Sequence, residues 1–216
     1  MSRPARAGSE VSVDKADSAS CRIETVYGVS QLTVFSFGPN EQDNILCLSV
    51  PTEESRPLVR IQSACYTGEI FRSLDCDCHE QLDESMRRIH AGGGYFIYML
   101  ADGRGAGLLT KVRGLALGDN EGLDTYDAYV RLGVEPDPRK YARVLSVLQH
   151  IGLSKIELLT NNPRKIEALR DSGISVDRAP LQIDPTPASA QYLEAKRTKF
   201  GHLLDSSLIR GDIEGK

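Results

Sequence analysis

Cys65 is followed, after ten intervening residues, by Cys76-Asp77-Cys78 in the segment C-Y-T-G-E-I-F-R-S-L-D-C-D-C. Three thiols within fourteen residues form a soft donor set suited to zinc, and three protein ligands leave the fourth tetrahedral position for water. An ion held that way acidifies its water toward neutrality, which is the chemistry of a hydrolase. Spacing alone leaves two other readings open. One is a closed structural site completed by His79 or Cys47, and the other is three cysteines buried as small apolar side chains.

The elements that must position these residues come from periodicity and turn chemistry. QLTVFSF and NILCLSV read as strands broken by the turn-like GPNEQDN, which implies antiparallel hairpin structure between Arg22 and Val50. PLVRIQS (57–63) alternates as a half-buried strand would, and leads into Cys65. After Cys78, Leu82, Met86 and Ile89 share one helical face, and the glycines 92–94 end that helix before the strand YFIYML. Residues 105–117 again have helical spacing, with Leu108, Val112 and Leu115 on one packing stripe and Lys111 and Arg113 pointing elsewhere.

Lys140 to Ile151 carries Tyr141, Val144, Leu145, Leu148 and Ile151 on an apolar face, closed by Gly152. The strand KIELLT precedes NNPRKIEALRDSG, a helix with Asn162 as its cap, Pro163 at the first position and Gly173 at its end. SVDRAPL closes this unit as a strand. The expectation is an α+β (mixed α/β) single domain: an N-terminal antiparallel β-hairpin part and a C-terminal strand-helix-strand part. Residues 1–20 read as a disordered leader, 21–205 as the catalytic domain and 206–216 as a flexible tail.

A chain of 216 residues supports one substantial core. Its 40% hydrophobic and 26% charged shares are those of an ordinary globular protein. No apolar run approaches the roughly 20 residues that span a bilayer, so no membrane and a cytoplasmic location are expected. Five cysteines, an odd number, argue against a disulfide framework. A net charge of -4 disfavours a non-specific nucleic-acid binder but permits a small anionic substrate wherever cations cluster locally.

The block R-I-Q-S-A-C-Y-T-G-E-I-F-R-S-L-D-C-D-C-H-E-Q-L resembles the R-V-H-S-E-C-L-T-G-D-x-F-x-S-x-x-C-D-C-x-x-Q-L block of the GTP cyclohydrolase II family. DGRGAGLLTKVR resembles that family's EGRGIGLxxKxx, and LLTNNPRKIEAL its LLTNNPxKxxxL, in the same order and at the same spacing from about Arg22 to Leu204. The resemblance implies zinc, one ion per chain, on Cys65, Cys76 and Cys78. It also implies nucleotide contacts from Arg60, Ser63, Gln81, Asp102, Gly103, Arg104, Thr125, Thr160 and Lys165, with Asp137 as proton acceptor and Arg139 as nucleophile. The implied activity is attack at C8 of GTP, opening of the imidazole ring and release of formate and pyrophosphate, with magnesium serving the triphosphate and a homodimer as the assembly.

The side chains themselves fit a polyanion, since Arg104 and Arg139 can bind phosphate bidentately and Lys165 adds a point charge at a helix start. Each also has a plainer reading: Arg104 as a solvated charge, Lys165 as a first-turn lysine, Asn162 as a cap, and Asp137 in PDPRK as a turn residue. The chain departs from the family pattern at Gln62 and Ala64, where histidine and glutamate are usual, and at Asp102, a shortened glutamate. Leu115 stands where the family has a tyrosine. These departures admit a reaction that stops at a formamidopyrimidine nucleotide, another purine-like substrate in a specialised pathway, or a non-catalytic zinc-stabilised nucleotide-binding module.

Overall fold

The computed structural model describes residues 16–187 and 189–205. Its seven-stranded mixed sheet is built from β1 (Asp17–Thr25), β2 (Gly28–Ser36), β3 (Asn44–Val50), β4 (Leu58–Ser63), β5 (Gly94–Met99), β6 (Lys155–Leu159) and β7 (Ser175–Ala179), in the spatial order β1-β2-β3-β5-β4-β6-β7. β1, β2, β3 and β5 form an antiparallel half; β4 pairs parallel with both β5 and β6, and β6 parallel with β7. The helices are α1 (Tyr66–Glu69), α2 (Cys78–Gly92), α3 (Leu108–Glu121), α4 (Thr125–Arg131), α5 (Ala142–His150), α6 (Pro163–Asp171) and α7 (Ala190–Phe200). The α+β expectation of one domain, a hairpin part followed by a strand-helix-strand part, matches this arrangement.

The parallel half must have both faces covered. On one face Val59 and Ile61 of β4 join Ile97 of β5, Ile156 and Leu158 of β6, Val144, Val147 and Leu148 of α5 and Leu169 of α6 in the main core, each no more than 1% exposed. On the other face α2 lays Met86 and Ile89 against Phe96. β4 is therefore buried on both sides from Val59 to Gln62, where alternation had implied a half-buried strand; its polar positions, Arg60 and Gln62, are 5% and 3% exposed. Buried polar groups of this kind must be partnered, and their partners lie in the cavity described below.

Three other expectations change. The 1–20 leader gives way at Asp17 to β1, while residues 1–15 and the 206–216 tail lie outside the described residues. The helix over 105–117 runs instead from Leu108 to Glu121. Its apolar stripe is not a packing face: Leu108 and Val112 are 41% and 47% exposed, and only Gly114 is buried, against the Tyr129 ring. No helix of the described residues is long and apolar enough to cross a membrane.

Candidate active site

β5, β4 and β6 are adjacent and parallel, and the segments that leave their carboxyl ends carry Asp102–Arg104, Ser63–Cys65 and Thr160–Asn162. Ligands of open parallel sheets bind beyond such strand ends. Here those segments, with α2, α3, α6 and α7, wall a cavity of about 390 Å³, within the range of small-molecule sites.

The thiol end of the cavity is set by α1, whose cap is Cys65, and by the start of α2 at Cys78. The sulfurs of Cys65, Cys76 and Cys78 lie within 4.8 Å of one another, with Cys65 and Cys76 3.8 Å apart. Zinc–sulfur bonds of about 2.3 Å at tetrahedral angles place sulfurs about 3.8 Å apart, so the donor set fits zinc. Gly68 makes this convergence possible, because a Cβ there would stand 2.7 Å from Cys76 Sγ. Among the described residues no fourth cysteine, histidine or carboxylate joins the group. Cys47, one of the two sequence alternatives for closing the site, is instead packed in the core on β3, where burial pushes its thiol up to about 12.

Hydrogen bonds from Cys76 and Cys78, and then the ammonium of Lys111, hold Cys65 far below the usual thiol range. The same sharing pushes Cys76 up to about 11 and Cys78 well above its ordinary value. A divalent cation is what lets three adjacent thiols ionise together. Lys111 Nζ sits 3.1 Å from both Cys65 Sγ and Asp102 Oδ1. Although burial opposes it, the Cys65 thiolate and the Asp102 carboxylate keep that ammonium charged. The other oxygen of Asp102 accepts from the Tyr66 amide at 2.7 Å, so this carboxylate ties α1 to α3.

The other walls of the cavity are cationic. Arg60 donates to the Leu159 carbonyl at 2.9 Å, to Gln62 Oε1 and, at 2.8 Å, to Gln81 Oε1. Gln81 in turn donates to Asp77, which also pairs with Lys196 Nζ at 2.7 Å. Arg139 meets Asp137 through two 2.7 Å hydrogen bonds, and Arg164 approaches the same carboxylate at 3.1 Å. Burial works against ionisation of Asp137, but Arg139 overcomes it and holds the carboxyl below its ordinary range. Lys165, fully enclosed, donates to the Ile61 carbonyl at 2.7 Å; burial, then Arg60 and Arg139, depress it well below the usual lysine range.

Arg104 occupies left-handed backbone space (φ 55°), a strained conformation for a residue with a side chain. Its guanidinium lies 4.2 Å from the centroid of Phe200 and donates to Thr125 Oγ1 at 3.1 Å, while Nη1 is buried with no partner among the described residues. An orphaned buried donor facing a cavity is a place for a ligand oxygen.

Arg60, Ser63, Gln81, Asp102, Gly103, Arg104, Thr125, Arg139, Thr160, Lys165 and the three cysteines all line this cavity; Asp137 stands behind Arg139 and orients it. Asn162 caps α6 by accepting from the Arg164 amide, as its sequence position implied, and also faces the cavity. Leu115 lines the cavity, half-buried, rather than packing in the core. Sequence reasoning missed Lys111, placed on another side of its helix, and the whole of α7, which contributes Tyr192, Lys196 and Phe200, with His202 just beyond.

The arrangement is a soft-metal cluster at one end of a pocket whose remaining walls present guanidinium and ammonium groups. Residues 16–180 match the family model described as GTP cyclohydrolase II. The chain belongs to the GTP cyclohydrolase II family. It is 40% identical over 189 residues to a GTP cyclohydrolase-2 of Shewanella piezotolerans, covering 86% of this chain and 92% of that protein. A GTP cyclohydrolase-2 of Hahella chejuensis is 41% identical over 189 residues, covering 86% and 91%. The riboflavin biosynthesis protein RibBA of Chlorobium phaeovibrioides is 37% identical over 193 residues, 88% of this chain and 47% of that longer protein. Membership makes the chain a cyclohydrolase-type hydrolase.

Proposed function

We propose that this chain opens the imidazole ring of GTP by a zinc-dependent hydrolysis and releases mainly a formamidopyrimidine nucleotide. The observation that carries the reading is a three-thiol cluster at one end of a 390 Å³ cavity lined with Arg60, Arg104, Arg139 and Lys165. Cys65, Cys76 and Cys78 would hold the zinc, which when bound supplies an acidified water at the reacting carbon. In the overall step water adds at C8, the C8–N9 bond breaks, N9 takes a proton and the formyl group stays on N7.

The protein's own groups bind and orient. Arg139, aligned by two hydrogen bonds from its guanidinium to Asp137, presents its remaining edge to the phosphates, and Arg104 offers its unpartnered Nη1. Lys111 keeps positive charge beside Cys65, offsetting the negative charge of three thiolates. Ser63, Gln81, Gly103, Thr125 and Thr160 supply polar atoms along the same walls, and magnesium accompanies the triphosphate. Release of formate from the formamide needs a second hydrolysis helped by a proton donor. Leu115, on the cavity wall, offers none.

Exposed Leu109, Ile70, Phe71 and Leu74, each at least 64% accessible, supply apolar surface that a second copy would cover, in line with a homodimer. Free thiols as ligands fit the reducing cytoplasm. Incubation of purified, zinc-loaded protein with GTP, following guanine absorbance, formate and pyrophosphate separately, tests the reading. Loss of absorbance without stoichiometric formate is the expected result. Stoichiometric formate would refute the arrest, and unchanged GTP would refute the substrate.

A further inference from the structure

His202 follows Gly201, the left-handed cap of α7 (φ 66°), and lines the cavity. The backbone around it is fixed: the His202 amide donates to the Lys196 carbonyl at 3.1 Å and the Leu203 amide to the Asn161 carbonyl at 2.8 Å. Arg178 clamps the Leu203 carbonyl at 3.3 Å. Among the described residues nothing hydrogen-bonds to the His202 ring, in a site where almost every other polar side chain is paired.

Basic groups face this imidazole from four elements: Lys196 from α7, Arg139 from the loop before α5, Lys165 from α6 and Arg104 from the turn after β5. The acids nearby are spoken for, Asp77 by Lys196 and Asp137 by Arg139 and Arg164. Burial, and then those four basic groups, push the His202 ring down to about 2, so it is neutral when the site is free of ligand. Basic side chains from four elements around an unpartnered ring make sense around a polyanion. α7 and His202 also lie beyond residues 16–180 of the family match.

We propose that His202 is a direct contact for the phosphate chain of the substrate, completing from the C-terminal end of α7 the anion site formed by Arg104, Arg139, Lys165 and Lys196. The inference rests on the reading of GTP as substrate. A bound polyanion leaves the burial of the ring in place but cancels the repulsion from the surrounding basic groups and offers an anionic acceptor, so binding draws a proton onto His202 and the ring then donates a charge-assisted hydrogen bond. Affinity for the phosphate chain accordingly rises as the pH falls, because the bound state holds the extra proton.

The test is calorimetric titration of the full-length, zinc-loaded protein with magnesium tripolyphosphate and, separately, with guanosine, in buffers of different ionisation enthalpy. Wild type should bind tripolyphosphate with net proton uptake. His202→Ala should weaken that binding about tenfold to a hundredfold, as loss of one charge-assisted hydrogen bond does, and leave guanosine affinity unchanged. His202→Asn should retain most affinity but lose the proton uptake, which a purely structural histidine would not produce; it also guards against misfolding of the alanine variant. Unchanged affinity and uptake in His202→Ala, failure of wild type to bind tripolyphosphate, or a defect confined to guanosine would each overturn the proposal. Should tripolyphosphate bind through His202 while GTP is not turned over, the substrate reading fails and the phosphate contact stands.

Discussion

The thiol cluster of the cavity draws Cys65, Cys76 and Cys78 from fourteen consecutive residues, whereas its cationic walls gather Arg60, Arg104, Arg139, Lys165 and Lys196 from segments spread over most of the chain. The first is closed by local geometry: a four-residue helix, a glycine without a side chain and the first turn of α2. The second exists only once β4, β5 and β6 lie side by side and α6 and α7 pack over their ends. Like charges are brought together there at a cost in Coulomb repulsion, contained by Asp137 and Asp77. A local site can therefore fail without the fold, while the assembled one is tied to the packing of several elements.

The largest effect expected is from Cys76→Ser, which should abolish zinc binding in elemental analysis, and turnover with it, while circular dichroism stays native. The main core does not include Cys65, Cys76 or Cys78. Unfolding of this variant would make the metal a structural staple and break the contrast between the two regions. Next, Arg139→Ala should lower kcat/KM by about a hundredfold to a thousandfold, as removal of a positioned charge donor does, with zinc content unchanged. Unaltered turnover would remove Arg139 from the site.

Asp137→Asn tests the assembled region through stability. Asp137 is 3% exposed, and breaking a buried pair leaves Arg139 uncompensated, so chemical denaturation should show a loss of about 3 kcal/mol at neutral pH. The sign with pH follows from the depressed carboxyl. Its contribution is complete above the unfolded value of about 3.9 and lost as the pH falls through the folded value. The asparagine variant should thus lose part of the acid limb of the stability profile, and an identical limb in both proteins would contradict this. A smaller effect, about 1–3 kcal/mol of local strain, is expected for Gly68→Ala, whose Cβ would press on Cys76 Sγ. Weakened zinc affinity with an unchanged melting temperature would confirm that strain at the thiol end stays local; a lowered melting temperature would not.

The same contrast explains what was legible in the sequence. The cysteine spacing needed no tertiary information, and α2, α5 and α6 announce themselves because each buries one apolar face and ends at a glycine. β1 escaped because it is an exposed edge strand held by backbone pairing to β2, so it has no core face to impose alternation. α7 escaped for the opposite reason. It turns Tyr192 and Lys196 inward beside Leu193 and Ala195, mixing polar cavity-lining groups into its buried face and erasing the amphipathic signal. Leu115 was misread because helical spacing groups it with Leu108 and Val112 but cannot say that a cavity, and not a core, lies beneath.

The central claim is that the thiol end directs hydrolysis at C8 of a nucleotide anchored by the cationic walls. Its most direct test is carbon-13 nuclear magnetic resonance on GTP labelled at C8, incubated with the zinc-loaded protein. The purine C8 signal should be replaced by that of a formamide, with little label in free formate. A label that remains in intact purine would contradict it.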